Sequence, residues 1–174
     1  MSLRIGVLTV SDRGAAGERP DRSGPAIVAW AGKAGHEVAV SAVVPDEPIE
    51  VTRTLLGWID GDAVDVAITT GGTGFGPRDR TPEAVAPILD RSAPAVAEAI
   101  ARTGLEATPF APLARVTVGT RGRAVVACLP GSTGGVKDGL AVLGPLLPHW
   151  CAILGGDTTS HPVATSAATP VGGK

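Results

Sequence analysis

Apolar residues in this chain fall into short continuous runs, set between longer segments where they recur every three or four positions. Leu3 to Val10, Glu37 to Val44 and Val64 to Ile68 are such runs. They are rich in β-branched residues and read as strands, the first buried on both faces as in a parallel sheet. Between them the spacing predicts helices. One starts at Ser23 as N-cap with Pro25 early in its first turn, continues through Ile27, Val28, Ala31 and Ala34, and stops at Gly35. A second carries Ile49, Leu55, Leu56 and Ile59 after the break at 45–48, and 60–62 closes it.

The second half reads less regularly. Thr81-Pro82-Glu83 offers a hydroxyl cap, a first-turn proline and an acid for a helix reaching Leu89. Pro94 opens another helix over Ala95 to Arg102, ended by Gly104. The two prolines of 108–113 mark a loop or broken turn. Arg115 to Val118 and Ala124 to Leu129 read as strands joined by a tight connection, hence an antiparallel hairpin. The last helix, Val136 to Leu154, is expected to be interrupted at Gly144, Pro145 and Pro148. The alternation implies an α/β fold: a three-layer, doubly wound, mostly parallel sheet with one antiparallel hairpin strand and helices on both faces. It places one domain at 1–154 and a tail at 155–174 that has little to bury and reads as disordered.

In that architecture ligands bind beyond the carboxyl ends of the strands. Ser11-Asp12, Asp46, the segment 71–79 and Pro130 to Gly135 all fall at such ends, so four polar or glycine-rich loops should converge. The segment 71–80 is the most distinctive, with Gly71, Gly72, Gly74 and Gly76 between a strand and a helix. Glycine there admits backbone angles closed to other residues and close approach of a ligand to the main chain. Strand, glycine loop, helix presents N–H groups to a phosphate. Arg78 and Asp79 add a cation and a carboxylate that no turn requires. The alternative is a plain βα connection with solvated charges, although such loops usually run to about 2–6 residues.

Composition narrows the chemistry. With net charge −2 and 3% aromatic residues, the chain lacks the basic, stacking surface that nucleic acid needs. Its 44% hydrophobic content suits a packed fold. The N-terminal apolar run is too short for a signal or a membrane span, which makes a cytoplasmic protein the expectation. Neither a Walker motif nor the dinucleotide fingerprint is present. The three histidines lie far apart, and Cys128 and Cys151 lack C-x-x-C spacing and read as buried small hydrophobes. What remains is acidic: Asp12, Asp21, Asp46 and Asp79. Each could merely cap a turn or helix. Carboxylates beside a phosphate cradle, however, would repel the ligand unless a cation lay between, and Mg²⁺ held by one or two carboxylates plus phosphates resolves the conflict. Phosphoryl or nucleotidyl transfer then needs positioning and charge neutralisation more than a base.

The run T-T-G-G-T-G-F-G-P-R-D-R-T-P-E-A resembles the signature of the molybdopterin adenylyltransferase family (Mog/MoaB type, including the G domain of gephyrin). T-V-S-D, P-D-R-S-G-P, V-V-P-D-E, T-P-F-A-P-L-A-R, G-T-R-G and L-P-G-S agree in order over about residues 4 to 140. The resemblance implies a homotrimer that transfers AMP from Mg-ATP to the terminal phosphate of molybdopterin, with handover to a molybdenum insertase. It implies catalytic and metal-organising roles for Asp46 and Asp79. Substrate and nucleotide contacts would fall on Ser11, Asp12, Asp21, Ser23, Gly24, Gly71, Gly72, Thr73, Gly74, Arg78, Pro130, Gly131 and Ser132. Thr133-Gly134-Gly135 departs from the proline that many members carry after Ser132. The alternative within the same fold is a non-catalytic molybdopterin-binding or scaffold trimer.

Overall fold

The computed structural model describes residues 1–157, and the part of the expected disordered tail from 158 onward lies outside them. The strands are β1 (Arg4–Val10), β2 (Glu37–Val44), β3 (Val66–Thr70), β4 (Arg91–Ser92), β5 (Thr117–Arg121) and β6 (Ala124–Leu129). The helices are α1 (Asp12–Ala15), α2 (Ser23–Lys33), α3 (Pro48–Asp60), α4 (Thr81–Val85), α5 (Pro94–Leu105) and α6 (Thr133–Leu154), with 3₁₀ turns at Ala86–Ile88 and Ala111–Leu113. One sheet runs in the order β2-β1-β3-β6-β5-β4. β1 pairs in parallel with β2 and β3, and β3 with β6, while β5 is antiparallel to both β6 and β4. Only β5 therefore runs against the rest, as the hairpin spacing implies.

Period-two alternation sorts the strand residues onto two cores. Ile5, Val7, Ile68, Val125, Ala127 and Leu129 face α2, α5 and α6, where Ile27, Ile100, Leu143 and Leu147 meet them. Leu8, Val10, Ala67, Val126 and Cys128 face α3 and α4, against Val51, Leu55, Ala84 and Val85. Both faces are covered, which is why the runs are continuously apolar. All five residues of β3 are buried.

Several local expectations change. The cap of α2 is not Ser23: the Asp21 carboxylate accepts from the N–H groups of Ser23 and Gly24 at 3.0 and 3.1 Å. Thr81 does not cap α4 either, because its hydroxyl is buried and makes no hydrogen bond. That helix ends at Val85, four residues short of Leu89, and passes into the 3₁₀ turn that contains Pro87. Ser11-Asp12-Arg13 is not a loop but the start of α1, capped by Ser11 through the Gly14 N–H at 3.1 Å. α6 is unbroken across Pro145 and Pro148. Each proline forfeits one helical hydrogen bond, but buried Leu140, Leu143, Leu147 and Cys151 hold one side of the helix to the sheet. β4 has no apolar signature, since Arg91 and Ser92 are exposed and only backbone pairing places them.

The chain leaves β1 to one side to form β2, then returns past it to form β3. The crevice between the carboxyl ends of β1 and β3 is thus the topological switch point. At the opposite pole, Met1, Arg4, Asp62, Asp65, Arg123 and Gly155 surround a polar pocket. There burial pushes the Asp65 carboxyl up, but hydrogen bonds from the Arg4 guanidinium and N–H outweigh this and hold it below the usual carboxylate range.

α6 approaches the sheet at Gly139, where an added Cβ would lie 2.6 Å from Leu129 Cδ2. Leu129 is wholly buried and has nowhere to retreat. Gly139→Ala should therefore lower the stability read from urea unfolding by about 1–3 kcal/mol despite its better helix propensity.

Candidate functional site

A polar cleft of about 230 Å³ opens over the β1/β3 crevice. The strand ends Thr9, Val10 and Ser11 line it, together with Gly71 and Gly72 after β3 and Gly131 after β6. Asp21, Asp46 and Asp79 bring three carboxylates, and Arg19 and Arg22 two cations.

Backbone geometry sets the crevice. Gly71 and Gly72 have φ of +99° and +62°, in the left-handed region that favours glycine. A Cβ at Gly71 would be driven into the Val10 carbonyl, and one at Gly72 into the Thr81 hydroxyl and to within 3.0 Å of Asp46 Oδ1. Gly74 and Gly76 act differently: a Cβ on either would lie 2.8 Å from Asp79 Oδ2, so they leave room for that carboxylate. The Gly76 N–H donates to Asp79 Oδ2 at 2.9 Å, and the Gly71 N–H to the Leu129 carbonyl at 3.3 Å. These two N–H groups are engaged within the protein, so the glycine loop is not an open phosphate cradle throughout.

Asp46 is held by a reciprocal pair with Asp12. The Asp12 N–H donates to Asp46 Oδ2 at 2.7 Å, and the Asp46 N–H to Asp12 Oδ1 at 2.9 Å. Arg78 then grips Asp12 with two bonds, of 3.0 and 2.9 Å, and reaches Glu47 at 2.7 Å. The Arg78 hydrogen bonds hold the Asp12 carboxyl below the usual range. Burial pushes the Asp46 carboxyl up, and the neighbouring charges of Asp12 and Asp79 push it further, against the opposing Asp12 N–H bond. Two like charges near a half-buried carboxylate are what a bound cation would relieve.

On the other side, the Thr9 hydroxyl donates to Asp21 Oδ2 at 2.6 Å while Asp21 Oδ1 caps α2. Gly24 fits beneath this pair, since a Cβ there would collide with both Asp21 and Thr9. Asp21 is therefore as much a structural cap as a cleft residue.

The structure brings Ser11, Asp21, Ser23, Asp46, Gly71, Gly72, Asp79 and Gly131 to the cleft. Asp12 and Arg78 form an ion pair outside its lining. Thr73 is buried and accepts the Arg115 N–H through its carbonyl. Pro130 and Ser132 line a separate apolar cavity of about 240 Å³ beside α5, with Phe110 and Ala111. Sequence reasoning missed Thr9 and Arg19, although Arg19 stands two positions before Asp21 in the sequence. It also missed Arg115, whose partners lie more than 30 positions away.

Two kinds of likeness bear on this geometry. The family described as "Probable molybdopterin binding domain" matches residues 6–149. The molybdopterin adenylyltransferase of Pyrococcus furiosus is 42% identical over 147 residues, covering 82% of this chain and 85% of its own. The molybdenum cofactor biosynthesis bifunctional protein of Chlorobaculum tepidum is 41% identical over 154 residues, covering 88% of this chain and 49% of its own. The chain thus spans about half the length of the bifunctional relatives it matches. The crystal structure of the molybdopterin biosynthesis enzyme MoaB from Thermus thermophilus aligns with a TM-score of 0.83 at 44% identity, over 88% of this chain and 97% of that one.

The left-handed turn at Gly72 is the tightest point between main chain and Asp46. Gly72→Ala should cost about 1–3 kcal/mol in chemical unfolding from backbone strain alone, and it should displace Asp46 or Thr81. A crystal structure of the variant with both side chains unmoved would contradict this account of the crevice.

Proposed function

Since this chain belongs to the molybdopterin-binding domain family of molybdenum cofactor biosynthesis, we propose that it is a molybdopterin adenylyltransferase, moving AMP from ATP to the terminal phosphate of molybdopterin. The observation that carries the proposal is the crowding of Asp46, in a polar cleft at the switch point, by Asp79 in the same cleft and by Asp12 just outside its lining. No group of three or more acidic, histidine or cysteine side chains among the described residues forms a metal cage. The two-carboxylate set suits Mg²⁺, which is usually held by one or two carboxylates plus substrate phosphates. Asp46 Oδ1 and Asp79 would hold the ion, and it would neutralise charge on the nucleotide phosphates.

The chain's own residues supply position. Gly71 and Gly72 let the phosphates lie against the main chain, and Arg19 and Arg22 offer positive charge at the cleft. The terminal phosphate of molybdopterin is already ionised near neutral pH, its second pKa being about 6, so no residue need remove a proton from it. One of its oxygens attacks the α-phosphorus of ATP, the bond to the bridging oxygen breaks, and pyrophosphate leaves. The same reading includes a homotrimer, handover of the adenylylated product to a molybdenum insertase and a cytoplasmic setting. Half-buried Trp30 beside an open apolar groove between α2 and α6 supports the assembly. No helix among the described residues is long and apolar enough to cross a membrane.

Asp46→Asn and Asp79→Asn keep size while deleting charge. With saturating Mg-ATP each should lower kcat by at least about 10²-fold, roughly 2.7 kcal/mol, and leave molybdopterin affinity nearly intact. Wild-type turnover by both variants would remove the catalytic assignment. In metal-free buffer at neutral pH, Asp46→Asn should also raise the thermal midpoint. Burial makes the ionised Asp46 costlier in the folded than in the unfolded chain, and the gain should vanish as pH falls and wild-type Asp46 becomes protonated.

A further inference from the structure

The loop between β3 and α4 carries Asp79 but has little regular structure of its own. Its internal hydrogen bonds are few: Asp79 N–H to the Gly76 carbonyl at 3.0 Å, Gly76 N–H to the Asp79 carboxylate, and Thr81 N–H to the Gly72 carbonyl at 3.0 Å. A loop so rich in glycine should be mobile unless further contacts fix it at more than one point. Arg78 ties the loop to Asp12 and Glu47 from within it, and a second anchor comes from outside, one side chain in the lead-in to β5. Arg115 Nε donates to the Gly74 carbonyl at 2.9 Å, and Nη2 to the Asp79 carbonyl at 2.6 Å. Nη1 pairs with Glu83 on α4, and the Arg115 N–H donates to the Thr73 carbonyl at 2.9 Å. The Phe75 ring lies against the guanidinium at 5.2 Å.

We propose that Arg115 is the positioning residue that fixes the glycine loop and, through it, the Asp79 carboxylate; this rests on the reading that Asp79 acts in the cleft. Each nitrogen of the guanidinium is engaged by a protein group, and Arg115 is not among the residues lining the cleft, so it acts through the loop. Its planar fork is what the task needs, because the Gly74 carbonyl in the middle of the loop, the Asp79 carbonyl near its end and a carboxylate on the next helix must be met at once. A lysine ammonium carries the charge but cannot span those three acceptors. Hydrogen bonds from a charged donor are about twice as strong as neutral ones, which suits them to restraining a loop without a packed core of its own. Arg115 lies two residues before Thr117, where β5 begins to pair with β6, so the hairpin ties its backbone to the sheet.

Three variants separate this from a structural ion pair. Arg115→Met keeps the apolar stem and removes the fork. Glu83→Gln removes only the charge pair to α4. Arg115→Lys keeps charge without the fork, and also serves if the methionine variant does not fold. Hydrogen exchange on the ligand-free proteins reads the loop independently of any reaction. In Arg115→Met the Gly76 and Asp79 amides should exchange at least about tenfold faster than in wild type, Arg115→Lys should fall between, and Glu83→Gln should stay within about twofold. In the adenylylation assay Arg115→Met should lower kcat at least about tenfold with KM for molybdopterin changed less than about threefold. Loop amides as slow in Arg115→Met and Arg115→Lys as in wild type would overturn the proposal. So would equal acceleration in Glu83→Gln, which would assign the effect to the pair with α4. A wild-type protein that does not adenylylate molybdopterin would count against the proposed function, while the exchange result would still decide the role of Arg115 in the loop.

Discussion

β3 is buried along its whole length, and its position between β1 and β6 dictates where the chain can open to solvent. A strand covered on both faces and paired on both edges has no polar group to offer until it ends. When it does end, the chain must clear β1, and the clearance at the Val10 carbonyl admits no side chain at Gly71. Two successive left-handed residues follow from that constraint, and they turn the loop toward Asp46 rather than along the sheet. The cleft is the space that this turn leaves. Its polarity comes from the loops that end β1 and β2, because those strands stop level with β3 in a parallel register.

The same crowding that shapes the cleft sets its charge. Asp46 sits where both neighbours are acids, and the fold answers with main-chain N–H groups and with Arg78 outside the lining. Arg78 offsets charge at Asp12 without entering the cleft, so the interior stays acid-rich. Stability alone would not choose this arrangement, since a buried carboxylate without a cation disfavours the folded state. The proposed role accounts for it, because a bound cation would offset the clustered carboxylates.

Much of this was legible in the sequence, and the boundary between what was and was not is physical. β1, β3 and β6 are read from apolar runs because burial on both faces leaves no alternation to confuse, whereas the edge strand β2, none of it fully buried, is read from its β-branched residues. The convergence of Ser11, Asp46, Gly71 and Gly131 is read from strand ends because doubly wound sheets place such ends together. Caps were less legible. Ser23 and Thr81 carry good cap chemistry, yet Asp21 captures one helix end and the burial of Thr81 against Gly72 removes the other candidate. α6 tolerates two prolines because its buried stripe outweighs two missing bonds, a tertiary effect that local propensity does not contain. β4 and the grip of Arg115 depend wholly on distant backbone partners, for which no local pattern exists.

The polar pocket at the amino ends of the strands gathers Met1 and Gly155 beside Arg4 and Asp65. Met1 and Gly155 therefore lie on one side, while the cleft opens at the other, roughly 20 Å away across the length of a strand. A polypeptide continuing from that pole would leave the cleft unobstructed. A unit wired in this way can be joined in tandem to a second module without rebuilding either, and a flexible joint at that pole would let two such modules face each other. The match of this chain to about half of longer bifunctional proteins is thus compatible with its geometry: such a tether and the cleft would occupy opposite ends of the same strands.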